Sequence, residues 1–189
     1  MEEKIDLRVV KTYRKIVSTL EELMETTPFD SITVHDLCES AEIRRATFYK
    51  HYNDKYDLLS FIIKDFESEI ANRVASRCDV TNIVEYISMY CKEVLDFFEL
   101  RQVILRNIFK SEAFFAIYNI IIDINFKFII RTLEDAKMGG TNIPSDIRAT
   151  ASFINGGICT MLMSWLREQN ISQAELLSDI KSILIRILY

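Results

Sequence analysis

The chain has 189 residues, enough for one large domain or two small ones. Hydrophobic residues make up 49%, against only 4 Gly and 2 Pro, a balance that favours an all-α fold with ample core. A formal net charge of −5 excludes a globally basic nucleic-acid binder but leaves room for a local basic face. The cysteines Cys38, Cys78, Cys91 and Cys159 form no CxxC pair. With His35 and His51 they build no metal site of known spacing, so neither metal nor cofactor is expected. They read as reduced core residues of a cytosolic protein, and the acidic stretch Met1–Asp6 does not resemble a signal peptide. A cytoplasmic location is expected.

Val9 or Val10, Tyr13, Ile16, Val17, Leu20, Leu23 and Met24 recur at three and four and predict a helix from about Leu7 to Thr26. Arg8, Lys11, Arg14 and Lys15 sit near its start, where positive charge opposes the helix dipole and so calls for another reason. Pro28 ends it. Thr33 with Asp36 is placed to cap a short helix carrying Val34, Leu37 and Cys38. Glu42 and Ile43 make a tight turn, and a second short helix runs from about Arg44 to His51. Asn53 or Asp54 then caps a longer helix. Two short helices joined by a turn of three or four residues form a helix-turn-helix.

The second short helix has two unlike faces. Phe48 and Tyr52 lie four apart on the side that Leu37, Ile43 and Leu58 cover. Arg44, Arg45, Thr47, Lys50 and His51 remain outside, with Lys55 just beyond. A helix of that shape fits a major groove, whereas a solvated helix that is merely basic is the alternative.

The stretch closely resembles the DNA-binding domain of the tetracycline-repressor (TetR) family of bacterial regulators. Thr47, Phe48, Tyr49, Lys50, His51, Tyr52, Lys55, Leu58 and Leu59 match its pattern, as does the upstream phrase Phe29, Ser31, Ile32, Thr33 and Val34. About the first third of the chain is covered. Two departures stand out: Glu42 occupies a turn position that is usually Gly, and Arg44 a cap position that is often Ser. The resemblance implies that Arg44, Arg45, Thr47 and Lys50 reach bases or adjacent phosphates. Tyr49, His51 and Lys55 would mainly touch phosphate, and His35 would face the backbone or groove edge. It also implies that the start of the first helix approaches the phosphate backbone.

The remainder predicts helices over about Asp54–Arg77, Ile83–Phe98, Gln102–Phe109, Ser111–Ala136, Asp146–Gln169 and from Ser172 to about Leu188. Ser111–Ala136 is the most hydrophobic, but Asn119, Asp123, Lys127 and Arg131 form a polar stripe that argues against a membrane span. Asn125 lies off that stripe, either as a satisfied core amide or as a polar anchor in a cavity. Ser145 is placed to cap the following helix, and Ser172 with Glu175 makes a capping box for the last. Gly156 and Gly157 inside a helix call for close approach of another helix.

The expected architecture is all-α, about nine helices, with a helix-turn-helix domain over 1–53 and a helical regulatory and dimerisation domain over 54–189. The tail resembles a family type in which the last two helices pair with those of a second subunit. Gly156, Gly157, Leu176, Ile180, Ile183, Leu184 and Ile187 are the expected homodimer contacts. Tyr86, Tyr90, Phe97, Asn125, Met161 and Trp165 are the candidate lining of a small-molecule site for a mostly apolar effector. The function so implied is a ligand-responsive repressor of a palindromic double-stranded operator. The alternatives are an activator or co-regulator acting with a protein partner, and an all-α enzyme. The enzyme reading lacks a nucleophile–base pair, a phosphate loop or a metal cluster in its support.

Overall fold

The computed structural model describes residues 7–189, with side chains from Val10 onward. The expectations for Met1–Asp6, Arg8 and Val9 therefore lie outside the described residues. Nine α-helices and no strand occur among the described residues: α1 (Leu7–Thr26), α2 (Val34–Ser40), α3 (Arg45–Tyr49), α4 (Lys55–Ala75), α5 (Ile83–Leu100), α6 (Gln102–Lys110), α7 (Phe114–Met138), α8 (Ile147–Glu168) and α9 (Gln173–Leu188). A single 3₁₀ turn, Phe29–Ser31, separates α1 from α2. The all-α expectation, helix-turn-helix first, is met.

Contacts divide the chain into two compact units. One runs up to Ile62 and includes Arg101–Tyr118, and the other comprises Ile63–Leu100 and Asn119–Tyr189. This division differs from the 53/54 boundary expected on functional grounds, and the packing explains it. The first turns of α4 bury Leu58 and Leu59, and Phe61 meets Tyr13 of α1 edge-on at 5.3 Å. Helix α6 packs on α1: Asn107 Nδ2 donates to the Met24 and Glu25 carbonyls, at 2.9 and 3.0 Å. Arg101 pairs with Glu21 at 3.1 Å, and the Ser111 hydroxyl bonds the Asp30 carboxylate. That hydroxyl is the main reason the Asp30 carboxyl titrates below the ordinary aspartate range.

The caps follow from the sequence with one exception. Thr33 accepts from the Asp36 amide and Asp36 returns to the Thr33 amide, and Ser172 with Glu175 does the same for α9. Asp54 caps α4, accepting from the amides of Tyr56 and Asp57 at 2.8 Å. At α8, however, the cap is Asp146, which accepts from the Ala149 amide at 2.8 Å, and not Ser145. Both residue types serve, and the helix begins one position later than Ser145 requires.

The helix-turn-helix turn is closed by Glu42 in the left-handed region, φ 51°. Its amide reaches the Glu39 carbonyl while the Ile43 amide reaches Cys38, the paired bonds of a Schellman ending. A side chain is strained there, and Glu42 is held by an ion pair to Lys15 at 2.6 Å. Exposed pairs of this kind contribute little. Glu42→Gly is therefore expected to raise the thermal midpoint by a few degrees in a calorimetric scan. A lowered midpoint would show that the Lys15 contact outweighs the backbone strain.

In the second unit α9 lays Leu176, Ile180, Leu184 and Leu188 on α5 and α8, each at most 3% exposed. Lys181 pairs with Glu85 at 2.6 Å, and Gln173 Nε2 donates to Asp96 at 2.9 Å. No single helix among the described residues is long and apolar enough to cross a membrane. On α7 the expected polar stripe includes a Lys127–Asp123 pair at 2.6 Å.

Candidate functional site

Helix α3 is five residues long and is held from beneath. Phe48 is fully buried and Tyr52 is 7% exposed, on the face predicted for them. Arg44 caps α3 through backbone geometry alone, with no side-chain cap. Arg44, Arg45, Tyr49, Lys50 and His51 are exposed, and Thr47 is half-buried beside them. Among the described residues Arg44, Arg45 and Lys50 have no ion-pair partner. Three unneutralised cations within two turns make a local positive face on an acidic protein. His35 is exposed on α2 and lies 3.9 Å from Glu39, an ion pair only when the imidazole is protonated. Of the basic residues near the start of α1, Lys11 and Arg14 are exposed, while Lys15 is engaged by Glu42.

Lys55 departs from its expected role. Its ammonium donates to the carbonyls of Phe29, Asp30 and Ile32 at 2.8, 2.8 and 2.7 Å. Nζ also lies 4.9 Å from the centre of the Phe29 ring. An ammonium has three donors, so none is left for phosphate. Burial pulls its pKa down, partly offset by Asp30 and Asp54. Lys55 is a clamp between the first turn of α4 and the 3₁₀ turn. No sequence pattern reports the direction of a flexible lysine, which is why the distinction was missed.

Of the expected ligand-site residues, Tyr86, Tyr90 and Trp165 lie in one core cluster with Met161 packed against it, and Tyr90 is bonded to Asn125. Asn125 is half-buried and bonded on both sides: Oδ1 accepts from the Tyr90 hydroxyl at 3.2 Å and Nδ2 faces Cys159 Sγ at 3.7 Å. The chain continues from Cys159 to Asn155 Oδ1 at 3.4 Å, and Asn155 Nδ2 donates to the Ile122 carbonyl at 3.1 Å. This is a satisfied polar strand through the core. Burial pushes the Tyr90 phenol well above its ordinary range and the Cys91 thiol up to about 12. Trp165 is spent on structure, its indole N–H donating to the Ile171 carbonyl at 2.9 Å. Phe97 packs on Phe66, ring centres 3.8 Å apart. Met161 is half-buried against the core. Asn125→Leu is expected to strip the buried Tyr90 hydroxyl of its acceptor and cost about 1–3 kcal/mol in urea unfolding. An unchanged midpoint would return Asn125 to the role of a spare polar anchor.

A cavity of about 380 Å³ opens elsewhere in the second unit, with Tyr86 the one candidate on its wall. Tyr86 and Phe128 form its aromatic floor, and Arg131, Thr132, Asp135 and Asp79 its polar sides. Arg131 was legible as part of the polar stripe of α7, but the closure of α4 and α5 around it was not.

The expected dimer contacts split into two sets. Leu176, Ile180 and Leu184 are at most 2% exposed inside their own subunit and are not available to a partner. An apolar helix circumference is ambiguous at the sequence level, and here one stripe of it is consumed by α5. Gly156 and Gly157 are exposed, Ile183 is 42% exposed and Ile187 half-buried. Phe153, one turn before the glycines, is 68% exposed.

Residues 16–61, which contain α2, α3 and their turn, match the family model described as bacterial regulatory proteins, tetR family. A stretch of 74 residues is 38% identical to an uncharacterized HTH-type transcriptional regulator, YxbF, of Bacillus subtilis (strain 168), covering 39% of this chain and 20% of that protein. Another of 61 residues is 33% identical to the dhaKLM operon transcriptional activator DhaS of Lactococcus lactis subsp. lactis (strain IL1403), covering 32% of this chain and 33% of that one. These matches thus span about a fifth and a third of the curated relatives' lengths. Over most of the chain the fold is that of solved tetR-family structures. One is the Thermus thermophilus repressor FadR in complex with lauroyl-CoA, with TM-score 0.66 and 15% identity, over 94% of this chain and 95% of that one. The match to the tetR family of bacterial regulatory proteins thus covers residues 16–61, and over most of the chain the likeness to solved tetR-family structures is one of fold.

Proposed function

We propose that the protein is a DNA-binding transcription regulator, working as a homodimer on a palindromic operator that it releases when a small molecule binds its second unit. The observation that carries this reading is the face of α3: Arg44, Arg45 and Lys50 exposed and unneutralised, on a helix anchored by fully buried Phe48. In this reading Arg44, Arg45, Thr47 and Lys50 read bases or adjacent phosphates, and Tyr49, His51 and His35 touch the backbone. The function is binding rather than catalysis. Helix α4 supports a ligand response, because it begins at Lys55, shortly after α3 ends at Tyr49, and continues unbroken to Ala71, Asn72 and Ala75 on the cavity wall. Coupling of about 1–3 kcal/mol is the usual scale, and operator must weaken ligand binding by the same factor. The activator named among the relatives favours a second reading, the same DNA docking with activation in place of repression.

Arg45→Ala tests the docking. It is expected to cost about 1–3 kcal/mol of operator affinity and to relax preference at one base position per half-site. The measurement is a fluorescence-anisotropy titration against the operator and its single-base variants. Unchanged affinity with unchanged preference would remove α3 from the groove.

A further inference from the structure

The wall of the cavity in the second unit has three features that belong together. Its floor is aromatic: Tyr86 and Phe128 are 7% and 5% exposed, nearly parallel at 23°, with ring centres 6.5 Å apart. One polar atom on its wall is underused. The Tyr86 hydroxyl is bonded, among the described residues, only to the Ala71 carbonyl at 3.5 Å, beyond the ordinary O–H···O range. A part-buried phenol whose hydrogen bond is long, on a side chain at the wall of the cavity, marks a place for a ligand atom. The third feature is charge. Asp79 and Asp135 line the cavity against a single lining cation, Arg131, which is exposed. Asp79 is committed to the Thr81 amide and hydroxyl, at 2.8 and 2.6 Å, whereas Asp135 has no ion pair among the described residues.

We infer that this cavity binds a small organic cation, an amine on an apolar or aromatic body. Its body lies on Tyr86 and Phe128, its ammonium donates to the Tyr86 hydroxyl, and Asp135 supplies the countercharge. Aromatic faces attract cations, most strongly where water is excluded. The Tyr86 phenol is pushed above its ordinary range first by burial and then by Asp135, Cys78 and Glu67, which agrees with a negative potential at that point. Arg131 also acts on half-buried Glu67 of α4, whose carboxyl burial pushes above the ordinary glutamate range and Arg131 draws partly back. This inference rests on the ligand-responsive reading for its biological meaning, but the binding itself is independent of DNA.

Three probes with one body and three charges test it: phenethylammonium, 2-phenylethanol and phenylacetate, each titrated calorimetrically into DNA-free wild-type protein. Phenethylammonium is expected to bind at least roughly tenfold tighter than phenylacetate, with the alcohol between. Asp135→Asn and Tyr86→Phe are each expected to weaken phenethylammonium several-fold while leaving the unfolding midpoint near wild type. Tighter binding of phenylacetate would make Arg131 the anchor and the ligand an anion, overturning the inference. No saturation by any probe at millimolar concentration would overturn it as well, as would equal binding to both variants. An operator titration with and without phenethylammonium separates the two proposals. Calorimetric binding without change in operator affinity leaves the cavity site standing and removes the ligand response. A response to some other ligand, with no ammonium binding, does the reverse.

Discussion

Lys55→Ala is expected to destabilise the N-terminal unit rather than loosen its grip on phosphate. The substitution removes an ammonium shared by three carbonyls, two of them in the 3₁₀ turn and one at Ile32, which is 2% exposed. Hydrogen bonds from a charged donor contribute more than neutral ones, and part-buried carbonyls left without a donor add to the loss. A cost of about 2–4 kcal/mol follows, a large share of the 5–15 kcal/mol that holds a typical domain together. Urea unfolding without DNA measures it. The salt dependence of whatever operator binding remains is expected to keep the wild-type slope, because no phosphate contact has been lost. Wild-type stability with a slope lower by about one would instead identify Lys55 as a phosphate ligand.

Gly157→Leu is expected to abolish the proposed homodimer. A Cβ at Gly156 or Gly157 meets nothing within 4 Å inside the subunit, so both positions, which are exposed, leave open space for the first atom of a larger side chain. Removing a helical glycine also favours the helix by a few tenths to about 1 kcal/mol. Any loss of assembly therefore arises from the partner's surface. Phe153→Asp attacks the same face by charge, from a position that is 68% exposed. Both variants are expected to be folded monomers by light scattering at micromolar concentration. With one recognition helix in place of two, operator affinity should fall by roughly 10²–10⁴. Two dimeric variants would place the interface elsewhere, and a monomeric wild type would remove it altogether.

The parts of this chain that were legible before its fold are those governed by short-range chemistry. Thr33 with Asp36, and Ser172 with Glu175, are capping boxes because three-residue spacing alone brings the groups together. Phe48 of α3 and Tyr52 just beyond it were readable as one buried face because four residues make about one turn. Gly at the turn is replaced by Glu42, and the backbone still takes the left-handed conformation, so the pattern tolerated that substitution. What was not legible depends on partners distant in sequence. Lys55 finds its acceptors 23 to 26 residues upstream. Asn125 is tied to Tyr90, 35 residues away. Leu176, Ile180 and Leu184 differ from Ile183 only in which side of α9 meets α5, and nothing in the composition of α9 decides that. The cavity is the extreme case, since its walls come from α4, α5, α7 and the loop holding Asp79 and Val80.

The most direct test of the account is to capture pooled genomic fragments with purified protein and sequence those retained. Enrichment of a two-fold symmetric site is expected, with half-sites centred one helical turn apart, about 34–36 Å, or a multiple of it. Repeating the capture with Arg45→Ala should relax the same position in both half-sites. Retention of fragments that share no symmetric site, or a site unchanged by Arg45→Ala, would contradict it.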